Sequence, residues 1–200
     1  MNRRERRTVV MPEERFRMLL AALLFIVPAL GCAQPVRRKP ESKPPYTAAG
    51  ETTPKAYARA AAARGEELYR RAQCGVCHGD KAEGGRRNPN SVQDTIVAQD
   101  NMAERLFLTY REDFEAAIWM IGRTGTLEAE YLDVPRAPAV VEQYRNTVKI
   151  ILDGSTTGKK DAARRRAPIN MPYWRDELSM QEINEIIIWL LSLGVEEDGA

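Results

Sequence analysis

The chain has few of the histidine and cysteine side chains that bind transition metals. It contains one histidine and three cysteines among 200 residues. Its formal net charge of +2 arises at the amino terminus, where residues 1–31 hold six Arg against three Glu, leaving 24 basic and 25 acidic residues beyond them. A nucleic-acid interface normally needs a concentrated basic face, so this near-neutral balance gives no support to nucleic-acid binding.

An apolar run long enough to span a membrane is also missing. The basic residues 1–17 precede "MLLAALLFIVPAL", a run of thirteen residues, whereas a spanning helix needs about 20. This pattern is typical of a signal peptide over residues 1–31. The ending "ALGC" resembles a bacterial lipoprotein signal, which predicts a lipid on Cys32; an uncleaved anchor helix and ordinary secretion are the alternatives. All three place the folded part outside the cytoplasmic membrane.

Strand-like alternation and internal repeats are absent as well, and the fold class predicted is all-α. Residues 33–53 contain four prolines and no apolar periodicity, so residues 32–53 are predicted to be a semi-extended tether that begins at the lipid-bearing cysteine. Apolar residues at three- and four-residue intervals predict helices beyond it. The predicted helices cover residues 54–73, 101–121, 139–153 and 179–194.

Local signals mark the ends of these helices. Thr53 is a predicted N-cap before Pro54, and Ser179 opens a capping box on the last helix. Gly154 is well placed to terminate the third helix. Gly65, inside the first helix, costs about 1 kcal/mol relative to alanine. It therefore predicts a close approach by another backbone or large side chain, with a tolerated surface glycine as the alternative.

The soft ligands that the chain does have are concentrated in "AQCGVCHGD", residues 72–80. A Cys-x-x-Cys pair alone is compatible with a redox dithiol or with half of a zinc site. Cys74-x-x-Cys77 followed by His78 is the signature of covalent c-type haem attachment. A zinc site would lack two ligands, and a thioredoxin-like dithiol would lack its βαβ surroundings. The motif therefore predicts one covalent haem c.

The stretches on either side of this motif resemble class I cytochromes c, the small all-helical monohaem electron carriers. The resemblance covers residues 54–92 and 139–194 and rests on "GEELYRRAQCGVCHG", "NPNSV", "VKIILDG" and "INMPYW". It implies that Gly65 and Tyr69 meet Trp189 of the last helix, and that Pro89 supports the proximal histidine. The implied cytochrome c domain spans residues 54–195, with an extra segment at about 93–137 and a tail at 196–200.

The iron ligands follow from the few donors available. His78 is placed to bind iron from one face, and a thioether is the default ligand on the other because there is no second histidine. Met171, which precedes Pro172 in a loop, is the strongest candidate. Met102, Met120 and Met180 lie on predicted helices, where methionine more often fills gaps in the core.

Electron transfer is the predicted function, and no enzymatic reaction is predicted. The protein would act as a membrane-tethered cytochrome, a subunit or partner of a respiratory complex, through redox partner proteins. The alternative is a haem enzyme subunit or gas-binding protein with an open distal site, but no distal histidine exists to support it. The basic run "KKDAARRR", residues 159–166, is compatible either with steering an acidic partner or with a solvated mobile loop.

Overall fold

The computed structural model describes residues 53–195, and within this range the chain is helical. It forms six α-helices and one short 3-10 helix, and its only extended pairings there are three isolated bridges of single residues. The all-α prediction is therefore confirmed for the described residues. The helices are α1 (Pro54–Arg71), α2 (Gly75–His78), α3 (Met102–Arg105), α4 (Arg111–Thr124), α5 (Ala137–Asp153) and α6 (Met180–Ser192), with the 3-10 helix at Ala129–Tyr131.

Helix α1 begins as the sequence predicts. The Thr53 side chain accepts a hydrogen bond of 3.2 Å from the backbone N–H of Ala56, and Pro54 occupies the first turn, where its missing N–H leaves nothing unsatisfied. The helix ends at Arg71, two residues before the predicted boundary, because Gln73 adopts a left-handed backbone with φ of 57°. That residue turns the chain into the cysteine motif.

The pairing of α1 with α6 is the most extensive contact between two helices in the described chain. A Cβ atom on Gly65 would lie 1.9 Å from the carbonyl oxygen of Glu185, so only glycine permits this approach. The rings of Tyr69 and Trp189 pack with centroids 4.4 Å apart. Both predictions for this contact are confirmed, and the backbone of α6 is the neighbour that Gly65 accommodates.

Helix α6 is capped and buried as predicted. The Ser179 hydroxyl accepts from the backbone N–H of Glu182, and the Glu182 carboxylate accepts from the backbone N–H of Ser179. The helix is buried over most of its surface, including the polar residues Asn184 and Glu185. The Glu185 carboxylate forms an ion pair with Arg64 of α1. The buried carboxylate is thereby paired, as a low-polarity environment requires.

The prediction of one continuous helix over residues 101–121 is wrong. The chain forms α3, breaks, and resumes as α4, which extends to Thr124. At the break Phe107 has a left-handed φ of 59°, and the next residue, Leu108, is fully buried. Its N–H donates to the carbonyl of Ala103 at 2.9 Å. Leu108 thus lies in the core at the point where the helix is interrupted.

The extra segment at about 93–137 belongs to the same hydrophobic core as the rest of the domain. Helix α4 packs on both α1 and α6. Its core residues join a single cluster with those of the first and last helices. The buried apolar residues of the segment include Met102, Leu106, Leu108, Phe114, Ile118, Ile121, Leu127 and Leu132.

Several predictions fall on other parts of the sequence. The predicted signal peptide, Cys32 and all but the last residue of the predicted tether lie outside the described residues, as does the predicted tail over residues 196–200. Among the helices of residues 53–195, none has the length and apolar character needed to cross a membrane.

Candidate functional site

The cysteine motif lies on a single helical turn that follows α1 directly. The backbone N–H of Cys74 donates to the carbonyl of Tyr69 at 3.1 Å, and that of His78 donates to the carbonyl of Cys74 at 3.0 Å. The Tyr69 hydroxyl donates to the carbonyl of Gly79 at 2.8 Å. Burial raises the pKa of Tyr69 well above its usual range, so its hydroxyl stays a neutral donor. The turn is thus fastened to α1 at both ends.

A cavity of about 520 Å³ opens beside this turn. Its wall includes Cys74, Cys77, His78 and Met171. His78 and Met171, the two predicted iron ligands, are 93 residues apart in the sequence. A narrower cavity of about 170 Å³ adjoins the same side chains and is also lined by Cys74, His78 and Met171. The larger volume falls within the range of about 300–1,000 Å³ that is usual for ligand and cofactor pockets.

The lining of the larger cavity is mainly apolar around these four residues. Neither of the two cavity walls includes a carboxylate or a histidine other than His78. In the described part of the chain, no three His, Cys, Asp or Glu side chains gather as candidates for a metal ion. The apolar contributors to the larger cavity are Val92, Ile96, Val97, Ile150, Ile169, Pro172 and Trp174.

Burial of the His78 imidazole favours its neutral form. Burial lowers its pKa, and the nearby backbone of Val97 opposes this only in part. Its Nδ1 atom is buried and makes no hydrogen bond of normal geometry within residues 53–195. A neutral imidazole is the state required of a metal ligand. A backbone group of Val97 lies beside the ring, and the support of His78 by Pro89 that the resemblance implies stays a prediction.

The Cys74 thiol does not have the depressed pKa of a redox-active cysteine. Burial raises the pKa of Cys74 to about 11; a backbone hydrogen bond opposes the shift and the charge of Cys77 adds to it. Reactive cysteines in Cys-x-x-Cys oxidoreductases instead have depressed pKa values, because the thiolate is the nucleophile. Both thiols are free and partly buried. The raised pKa of Cys74 does not favour thiol–disulfide exchange at that residue.

Four methionines follow the motif, and the structure separates them. Met171 is partly buried and lines both cavities. Met102 is buried in the core and lines the narrower cavity alone. Met120 lines neither cavity, and Met180 is 43% exposed on α6. Met102 is therefore the one other methionine near His78, a position that its helical spacing did not reveal.

The backbone of Met171 is held by the residues that follow α5. Its N–H and C=O each pair with Ser155 at 3.1 Å. Gly154 ends α5 as predicted, with a φ of 72°, and a Cβ atom there would lie 2.5 Å from the carbonyl oxygen of Met171. Trp174, which lines both cavities, donates its backbone N–H to the carbonyl of Ile151 at 3.1 Å. The methionine loop is thus ordered against the end of α5.

The basic run at residues 159–166 is exposed, but it is not a free loop. Its backbone pairs with the loop that follows the cysteine motif, where Lys160 N–H donates to the carbonyl of Asn90 at 2.8 Å. The Lys160 ammonium lies 2.5 Å from the Asp94 carboxylate. Ser91, which forms a bridge with Lys159, lines the larger cavity. The backbone of this run is therefore attached near the rim of the site.

Sequence reasoning missed the two asparagines that organise this rim. Asn88 and Asn90 are buried and hydrogen-bonded to the segment leading to Met171. Comparisons with known proteins add no further constraint, since no family model, curated protein or solved structure matches the chain.

Proposed function

We propose that residues 54–195 form a cytochrome c-like domain that carries one covalent haem c and transfers electrons. The observation that carries this proposal is the meeting of Cys74, Cys77, His78 and Met171 at one cavity of about 520 Å³. The first three residues form the attachment signature. The fourth comes from a distant part of the sequence and has the donor type expected of a distal ligand.

The chemistry of these residues matches their roles. Cys74 and Cys77 would hold the group covalently, since addition of each S–H across a vinyl C=C bond of a porphyrin would form one thioether without an oxidant. The neutral imidazole of His78 would supply the proximal ligand, and the thioether of Met171 the distal one. The iron of the group, when bound, supplies the one-electron redox couple, and soft thioether ligation raises its potential. The apolar side chains of the cavity wall suit contact with the porphyrin ring.

Electron transfer is favoured over catalysis or gas binding by the composition of the cavity walls. Substrate activation at a haem iron usually employs an acid or base near an open coordination position. The described walls contain Arg105 as their one charged side chain and no carboxylate. A haem enzyme subunit or gas-binding protein with an open distal site remains the second candidate, and the state of the Met171 ligand decides between the two.

The setting of the domain is part of the proposal. A lipid on Cys32 and the tether over residues 32–53 would hold the haem domain at the cell membrane, on its periplasmic or extracytoplasmic side. There it would exchange electrons with redox partner proteins as a subunit or partner of a respiratory complex. Capture of the protein from native membranes, followed by identification of co-purifying subunits, distinguishes a fixed subunit from a free shuttle.

Covalent attachment is tested by mass measurement after denaturation. The unsubstituted protein should retain the haem mass, and a protein with both Cys74→Ser and Cys77→Ser should lose it under the same conditions. Dissociation of haem from the unsubstituted chain under denaturing conditions would contradict the proposal. Retention would exclude zinc and a simple dithiol together.

Ligation by Met171 is tested by substitution with a matched control. Met171→Ala should lower the reduction potential, abolish the weak far-red band of ferric iron bound to sulfur, and let the reduced protein bind carbon monoxide. Met102→Ala is the control, because Met102 also lines the narrower cavity but lies in the core. Met120→Ala and Met180→Ala should likewise leave all three properties unchanged. Ready binding of carbon monoxide by the unsubstituted protein would favour the second candidate function.

A further inference from the structure

Two buried asparagines join the segment after the cysteine motif to the segment before Met171. Asn88 is 4% exposed and Asn90 is 1% exposed. The Asn88 side-chain amide donates to the carbonyl of Ile169 at 3.2 Å and accepts from the N–H of Ile169 at 2.7 Å. The Asn88 amide thus bonds both the N–H and the C=O of Ile169, as the backbone of a neighbouring β-strand would.

Asn90 makes a more extensive attachment. Its side-chain Nδ2 donates to the carbonyls of Asp161 and Arg166 at 3.1 and 3.0 Å, and its Oδ1 accepts from the N–H of Asp161 at 2.9 Å. The residue has a left-handed φ of 70°, a conformation that asparagine tolerates better than most residues. Both amide hydrogens are used, so Asn90 fixes two points of the basic segment at once.

Hydrophobic burial contributes little to holding this segment. Every residue from 159 to 167 is exposed, and Pro168 is the nearest buried position before the methionine. Ile169, the partner of Asn88, lies two residues before Met171 and is itself 45% exposed. Specific polar contacts therefore attach this segment. The asparagine amides join it to the loop after the cysteine motif, together with Lys160. Thr157 and Ser155 attach the residues from Ile169 to Met171 to the chain that follows α5.

We propose that Asn88 and Asn90 are positioning residues that fasten the Met171 loop to the segment following His78 and keep the Met171 thioether at the iron. The inference rests on the proposed function, because it assigns these residues a role in maintaining the distal ligand. Asn88 lines the same cavity as His78 and Met171, so its attachment acts at the site itself. Loss of either attachment should increase the fraction of molecules in which the loop is open.

The test uses the complete haem-loaded protein with Asn88→Ala or Asn90→Gly. Glycine is chosen at position 90 because it removes the amide side chain without strain at positive φ. Ferric protein is titrated with imidazole, which competes with the thioether, while the far-red band is followed. Each lost hydrogen bond should raise the apparent affinity for imidazole about fivefold. Hydrogen exchange in the reduced protein should quicken at the amide of Ile169 in Asn88→Ala and of Asp161 in Asn90→Gly.

Asn184→Ala is the matched control. Asn184 is also buried, at 5% exposure, and also makes two side-chain hydrogen bonds, to Tyr144 and to the carbonyl of Gly125. It lines neither cavity. This substitution should lower the midpoint of unfolding but leave the affinity for imidazole unchanged, which separates positioning of the ligand from general destabilisation.

The outcomes separate failure of this inference from failure of the proposed function on which it rests. If the unsubstituted protein lacks covalent haem or the far-red band, the proposed function fails and this inference fails with it. If both are present but the imidazole affinities of Asn88→Ala and Asn90→Gly stay within about twofold of the unsubstituted protein, the inference alone is overturned. Should Asn88→Ala not fold, Asn88→Ser and Asn90→Gly decide the question by the same titration.

Discussion

The contact at Gly65 gives the sharpest prediction about stability. In Gly65→Ala the new Cβ atom would lie 1.9 Å from the carbonyl oxygen of Glu185 and 2.8 Å from the Cβ of Trp189. These atoms belong to the backbone and first side-chain carbon of α6, so no rotamer change removes the overlap. Restoring a separation of 3.0 Å requires the two helices to move apart by about 1 Å.

The cost of that movement can be estimated from what the helix pair holds together. A gap of about 1 Å forfeits up to half of the dispersion energy between facing atoms. It would also disturb the packing of Tyr69 on Trp189 and the buried ion pair between Arg64 and Glu185. Overpacking costs about 1–3 kcal/mol, and the number of contacts affected favours the upper end. Replacing a helical glycine returns about 1 kcal/mol, so Gly65→Ala should lower the free energy of unfolding by about 2 kcal/mol.

Urea unfolding of the haem-loaded protein at pH 7, followed by circular dichroism, measures this difference. Ala63→Gly, at an exposed position of the same helix, is the control for intrinsic helix propensity and should cost about 1 kcal/mol. The melting temperature of Gly65→Ala should fall by about 4–8 °C for a domain of this size. An alanine variant as stable as the parent protein, or more stable, would show that α1 and α6 do not approach as described.

Three further predictions concern other parts of the chain. Cys32→Ser should release the mature protein from membrane fractions and remove its lipid mass; membrane retention with unchanged lipid mass would refute lipidation. Burial raises the pKa of Glu182, but hydrogen bonds from Ser179 outweigh it and hold the net pKa below the ordinary value of 4.5. The carboxylate therefore stabilises the fold above about pH 4.5, and this contribution is lost as the pH falls through the lower folded-state pKa. In urea titrations from pH 7 to pH 3, the stability advantage over Glu182→Gln should shrink on acidification, and a constant difference would contradict the argument. Tyr144→Phe should cost about 1–2 kcal/mol, because its hydroxyl donates to the buried Asn184 at 2.7 Å. Burial raises the pKa of Tyr144 to about 12, so the loss should be the same at pH 6 and pH 8. A change in stability below about 0.5 kcal/mol would show that water replaces the lost donor.

The positions of the helices were largely readable from the sequence because their signals are local. Apolar spacing of three and four residues depends only on helix geometry, and the caps at Thr53 and Ser179 involve partners within three residues. The break after α3 was missed for a complementary reason. Leu108 leaves the helical path to reach the core, and the benefit of that burial depends on residues far away in the chain.

The residues of the candidate site were likewise predictable from the sequence only where their arrangement is local. The sequence by itself placed Cys74, Cys77 and His78 on one turn, because the spacing of a short motif determines its local arrangement. It also indicated Met171 through the neighbouring residues. Only the tertiary structure decided that Met171 shares a cavity with His78, and that Met102 lies near it while Met120 and Met180 do not.

The same limit applies to the polar residues that order the site. Nothing local distinguishes Asn88 and Asn90 from solvent-exposed asparagines in a turn, and nothing distinguishes Glu185 from a surface carboxylate on a helix. Their burial is decided by partners more than 70 residues away in the first case and 121 residues away in the second. A polar side chain is stable in the interior only when such a partner satisfies it. The sequence therefore determined where the helices and the cysteine motif lie, and the packing of distant segments determined which side chains meet there.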